Sequence, residues 1–87
     1  IAYQWAGQNC IARTHESWPE IELIQSESEC GDGRNTWEYA EYVFHLINHY
    51  LKNGATAYTY WNMILDDQDS TWGWWQNSLF TITADTH

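Results

Sequence analysis

Ile1-Ala-Tyr-Gln-Trp5 is a short β-branched and aromatic run halted at Gly7, the pattern of a strand. Gln8 to about Ser17 then reads as a short helix that Pro19 closes. Ile21 to Glu27 predicts a second strand, followed by the turn-rich Cys30-Gly-Asp-Gly-Arg-Asn35. The clearest element comes next. Asn35, with Glu38 three residues on, has the form of a capping box, in which each side chain meets an unpaired backbone N–H. Ala40, Val43, Phe44, Ile47, Tyr50 and Leu51 behind it keep the rhythm of one buried helix face, and Gly54 stands where the helix should end. Ala55 to Trp61 suits a third strand, Asp66 to Ser70 a loop, and Ser78 to Thr83 a further strand.

The order strand–helix–strand–helix–strand implies parallel strands joined by crossover helices, an α/β architecture. Two such architectures compete. A dinucleotide-binding sheet wants a glycine-rich turn directly after a strand, and Gly31-Asp-Gly33 is only a fragment of one. A (β/α)8 barrel places its working residues at the C-terminal strand ends, where Trp5, Glu27 and Trp61-Asn62 all fall. The barrel is favoured. A whole barrel takes about 250 residues, so these 87 residues are expected to be one segment of it, read as a single stretch over 1–87.

Composition narrows the partners. Three Lys and Arg stand against 12 Asp and Glu, a formal net charge of −9, which disfavours nucleic acid and anionic membranes. Acidic disorder fails as well, because hydrophobic residues make up 44% of the chain. Seven Trp and six Tyr in so short a chain suit both apolar cores and flat platforms for the C–H faces of sugars. No run of about 18 apolar residues suggests a membrane span. Cys10 and Cys30 do not make a disulfide framework; a bridge between them is possible, and two half-buried free thiols is the favoured expectation.

Glu27 in Gln25-Ser-Glu-Ser-Glu29 is the residue whose position suggests chemistry. A retaining glycosidase needs two carboxyl groups about 5–5.5 Å apart, one of which attacks the anomeric carbon. A rigid strand end holds such a nucleophile well. From spacing alone Glu27 is a solvated strand-end carboxylate, with Glu22 and Glu29 on equal terms.

Three stretches change that balance: Tyr3-Gln-Trp-Ala-Gly7, Gln25-Ser-Glu-Ser-Glu-Cys-Gly-Asp-Gly33, and Tyr58-Thr-Tyr-Trp-Asn-Met-Ile-Leu65 with Ser70-Thr-Trp-Gly-Trp-Trp-Gln-Asn-Ser78. In that order they resemble family-30 glycoside hydrolases, nearer the glucosylceramidase and endo-β-1,6-glucanase branch than the xylanase branch. Trp37 to Phe44 and His49 to Gly54 share the likeness. The resemblance implies that the three strands are the sixth, seventh and eighth of the barrel. It implies that Ser26-Glu27 carries the nucleophile, with Glu29 the weaker candidate. Trp5, Trp61, Asn62, Trp72 and Trp74 become expected substrate contacts, Trp61 flooring the sugar site. Each also has a bland reading: core packing for the tryptophans, a loop cap for Asn62.

The resemblance further implies an acid/base after an Asn at the fourth strand's end, and no Asn-Glu pair occurs in these residues. Some relatives put a Tyr where this chain has Ala6, leaving Tyr3 as the nearest phenol. The expected partners are a β-glucan or other β-glucoside and the remaining strands of the barrel; no cofactor or metal is expected. A secreted or extracytoplasmic location follows from the family alone. A non-catalytic carbohydrate-binding protein with tryptophan platforms is the alternative function.

Metal motifs do not persuade. Asp67, Asp69 and Thr71 faintly suggest a calcium loop, but Trp72 stands at the required glycine. His45 and His49 have zinc-friendly spacing yet are expected on the solvated side of their helix.

Overall fold

The computed structural model describes residues 1–66 and 76–83. Three strands, β1 (Ala2–Gln4), β2 (Leu23–Glu27) and β3 (Ala55–Tyr58), form one sheet in the order β1-β2-β3, and both pairings are parallel. Parallel neighbours need a long crossover. The first connection is a 3-10 turn (Ala6–Asn9) running into α1 (Ile11–Ser17); the second contains α2 (Trp37–Lys52). Strand ends are shorter than the sequence suggests: Trp5 and Trp61 both lie outside the sheet.

A second, two-stranded parallel sheet pairs β4 (Ile64–Asp66) with β5 (Phe80–Ile82). Sequence reasoning found β5 inside Ser78–Thr83 and missed β4, whose three residues are too few to show a period. Among the described residues, β1 and β3 each keep one edge unpaired in the first sheet.

Tyr3, Leu23 and Ala55 face the helices from the sheet and meet Ile11, Leu46 and Tyr50 in one buried cluster. Complete burial of Leu23 and Ile11 contributes about 2 kcal/mol apiece. Of the helix face expected to be buried, Tyr50 is buried and Val43 and Ile47 are half-buried. Leu46 and Tyr50 are the buried residues of α2, whereas Phe44 is 70% and Leu51 49% exposed. The sheet meets this face on the side of Leu46, which leaves Phe44 and Leu51 in solvent. Tyr50 lies where the expected and observed faces overlap, and its phenol has a half-buried partner.

The cap differs too. Thr36, not Asn35, is the N-cap: its hydroxyl accepts the Tyr39 N–H at 3.3 Å. The Asn35 side chain instead accepts the Ser78 N–H, tying α2 to the segment before β5. His49 is half-buried and packs against the first crossover, with only His45 on the solvated side. No disulfide joins the cysteines; Cys30 is buried and Cys10 exposed. Among the described residues no helix is long and apolar enough to cross a membrane.

Gly54 ends α2 with φ 104°, a region open to glycine, and a Cβ there would lie 2.6 Å from the His15 ring. Gly54→Ala is therefore expected to cost about 1–3 kcal/mol from backbone strain and the clash together. Urea unfolding checks it: an unchanged midpoint would mean that the turn relaxes freely.

Candidate active site

The C-terminal ends of β1 and β2 lie side by side, and there the sheet changes register. Gln4 pairs with Glu27 across a bulge that leaves Ser26 as the extra residue. Its hydroxyl donates to the Tyr3 carbonyl at 2.9 Å, which satisfies the bulged backbone locally. Bulges recur beside active sites because they re-aim a side chain. Here the re-aimed side chain is Glu27.

Both carboxylate oxygens of Glu27 are held, one from the last residue of β1 and one from the residue that follows it. The Trp5 indole Nε1–H donates to Oε1 at 2.9 Å, and the Gln4 amide donates to Oε2. A carboxylate offers about four lone-pair sites, so two N–H donors fix its orientation and leave acceptor capacity for other work. The side chain is half-buried.

Trp5 holds its indole there in an unusual backbone conformation, φ 55° and ψ −102°; among the described residues no other non-glycine has a positive φ. Such a conformation costs about 1–3 kcal/mol and persists only where the surroundings over-determine it. They do. The Trp5 N–H donates to the Glu27 carbonyl at 2.8 Å, and its own carbonyl accepts the Tyr50 hydroxyl at 3.2 Å.

Glu29 has different surroundings. Tyr42 donates to its Oε2 at 2.7 Å, Gln8 reaches Oε1 at 3.4 Å, and the Tyr39 hydroxyl donates to its backbone carbonyl at 3.1 Å. These bonds staple the loop after β2 to α2. Burial, then the bond to Glu29, pushes the Tyr42 phenol above its ordinary range, and burial does the same to Tyr39. Further along the loop, Arg34 bonds to the exposed Asp32 carboxyl and holds it below the usual range.

Beyond β3 the chain runs beside Ser28, whose N–H donates to the Thr59 carbonyl at 3.2 Å. Two residues on, Trp61 is half-buried and its Nε1–H donates to Gln76 at 2.5 Å. Asn62 is exposed. The fold thus joins Trp5 directly to Glu27, while the Trp61 indole N–H is committed to Gln76. Trp72 and Trp74 lie outside the described residues.

Tyr3, the phenol sequence reasoning put nearest the nucleophile, is buried beneath the sheet with its hydroxyl unpartnered. Period-2 alternation explains this: Tyr3 and Gln4 point to opposite faces, and the polar neighbour supplies the donor. Sequence reasoning missed both Gln4 and Tyr50. A long amide ending the strand beside the candidate nucleophile was the available signal for Gln4. The spacing marks Tyr50 only as a buried residue of α2, not as the donor that reaches Trp5 from 45 residues away. The chain matches no family model, no curated protein and no solved structure.

Proposed function

We propose that this chain is the part of a retaining β-glycosidase that supplies the nucleophile, its three-stranded sheet forming about the sixth to eighth strands of a (β/α)8 barrel. The observation that carries the proposal is Glu27 at the C-terminal end of the middle strand, both oxygens fixed by donors from the end of the neighbouring strand and the residue just after it. Among the described residues, two open sheet edges and an exposed apolar stripe on α2 fit a segment that packs against further strands and helices.

In this mechanism a Glu27 oxygen attacks the anomeric carbon of a β-glucoside from below. The bond to the leaving oxygen breaks, and that oxygen takes a proton from a carboxylic acid on the remainder of the barrel. The product is a glycosyl ester on Glu27. Water then attacks the same carbon, gives its proton to the second carboxylate, and releases Glu27 as it began. Trp61 floors the sugar and Asn62 meets it at the approach; Trp72 and Trp74 are expected substrate contacts on the family resemblance alone. A β-1,6-glucan or a glucosylceramide-like lipid glucoside is the expected substrate, met outside the cytoplasm.

A mechanism-based fluoro-sugar, applied to the complete enzyme and followed by peptide mapping, tests the reading. The ester is expected on Glu27. Label on Glu29 would move the nucleophile. Oligosaccharide binding with no label on any carboxylate of this segment would favour the carbohydrate-binding alternative.

A further inference from the structure

The first crossover is gripped from α2 at two successive residues. His49 Nε2 lies 2.7 Å from the Gln8 carbonyl, and the Tyr50 hydroxyl donates to the Trp5 carbonyl at 3.2 Å. The two rings meet edge to face, 6.0 Å between centroids. Tyr50 is fully buried and packs also against Tyr3 and Tyr58, which fixes its ring before its hydroxyl makes any bond.

What that hydroxyl holds is the one carbonyl whose direction depends on the left-handed Trp5. If Trp5 relaxed to an ordinary negative φ, its carbonyl would swing away from Tyr50 and its indole away from Glu27. The Trp5 backbone and one of the two bonds that orient the carboxylate are therefore linked, and α2 holds that link, while Gln4 keeps the other oxygen.

Resting on the glycosidase reading above, we propose that Tyr50 is a positioning residue for Glu27: its phenol locks Trp5 in the left-handed conformation that aims the indole N–H at the carboxylate. Burial pushes the phenol up to about 12, so it stays an O–H donor throughout the range in which an enzyme works. The Tyr50 hydroxyl bonds to the Trp5 carbonyl and not to Glu27, so its influence passes through Trp5. Removing the hydroxyl should then slow the attack step without weakening substrate binding.

Tyr50→Phe in the complete enzyme tests this, because it deletes the donor and keeps the ring. The expected result is a fall of about tenfold in kcat and in the rate of fluoro-sugar labelling, with KM unchanged. The same substitution should cost almost nothing in a Trp5→Phe background, since the indole it acts through is gone. The Trp5 indole proton, followed by NMR in the unsubstituted protein, should be hydrogen-bonded and slow to exchange, and should lose both properties in Tyr50→Phe.

Unchanged labelling in Tyr50→Phe, or a loss that simply adds to that of Trp5→Phe, overturns the proposal. So does a fast-exchanging Trp5 indole in the unsubstituted protein, a result that stands even where the variant does not fold. An unsubstituted enzyme that takes no label would overturn the glycosidase reading instead. The indole signal would then decide the Tyr50–Trp5–Glu27 linkage by itself.

Discussion

Glu27→Gln in the complete enzyme is expected to lower kcat on a β-glucoside by about four to six orders of magnitude while leaving a folded protein. The amide is a poor nucleophile, so the glycosyl ester cannot form. Its shape nearly matches the carboxylate, and one of its two polar atoms still accepts a bond from Gln4 or Trp5. The other becomes an NH2 facing a donor, which costs some stability at the half-buried site. Glu29→Gln is the comparison. Its oxygens are engaged by Tyr42 and Gln8, so its expected cost falls on the loop after β2, with kcat changed by only a few-fold. Steady-state kinetics and thermal midpoints on both variants separate the effects. Turnover within tenfold of the parent in Glu27→Gln would remove it as the nucleophile.

Trp61→Ala is expected to lower kcat/KM by about 70-fold. Half of the ring face, about 100 Å², would cover the sugar, and at about 25 cal/mol per Å² that is about 2.5 kcal/mol. The contact strengthens as the sugar flattens toward the oxocarbenium-like transition state, so part of the loss should appear in kcat. Trp61→Phe keeps an aromatic face and should recover part of it. The indole is already tethered through Nε1 to Gln76, so its ring is held before substrate arrives. Phe lacks that N–H, which predicts incomplete recovery. A ring that serves only the core gives the reverse pattern: a loss of about 3–5 kcal/mol in stability on truncation, with near-normal kinetics in whatever folds.

Local pattern made the three sheet strands and α2 legible, because each has a period or a composition that only one element satisfies. Legibility failed wherever a distant partner decides. Asn35 has the chemistry of an N-cap, yet Ser78 claims its side chain and Thr36 caps the helix. Phe44 and Leu51 share the expected buried face with Tyr50, yet the sheet meets it on the Leu46 side and only Tyr50 of the three is buried. His49 looks solvated until the first crossover folds over it. At the candidate site, Glu27 and Trp5 were singled out in the sequence, and their direct bond is a product of the bulge between Tyr3 and Gln4. Gln4 stayed unseen because its value depends on that same shift in register.

Every strand pair in the first sheet joins residues far apart in the chain: Ala2 with Ile24, Leu23 with Ala55. Neither pairing is rewarded until a whole crossover has been closed, a loop entropy that must be met before any ladder bond returns it. On a ribosome adding about 5–20 residues per second, β1 would therefore wait seconds for β2, and β2 for β3. During that interval Tyr3, Ile11 and Leu23 lie bare, along with strand edges ready to accept any passing chain. The parallel order that brings Glu27 beside Trp5 thus leaves apolar surface waiting on chain yet to be made, and slow synthesis through the first crossover is expected to raise the rate of misassembly.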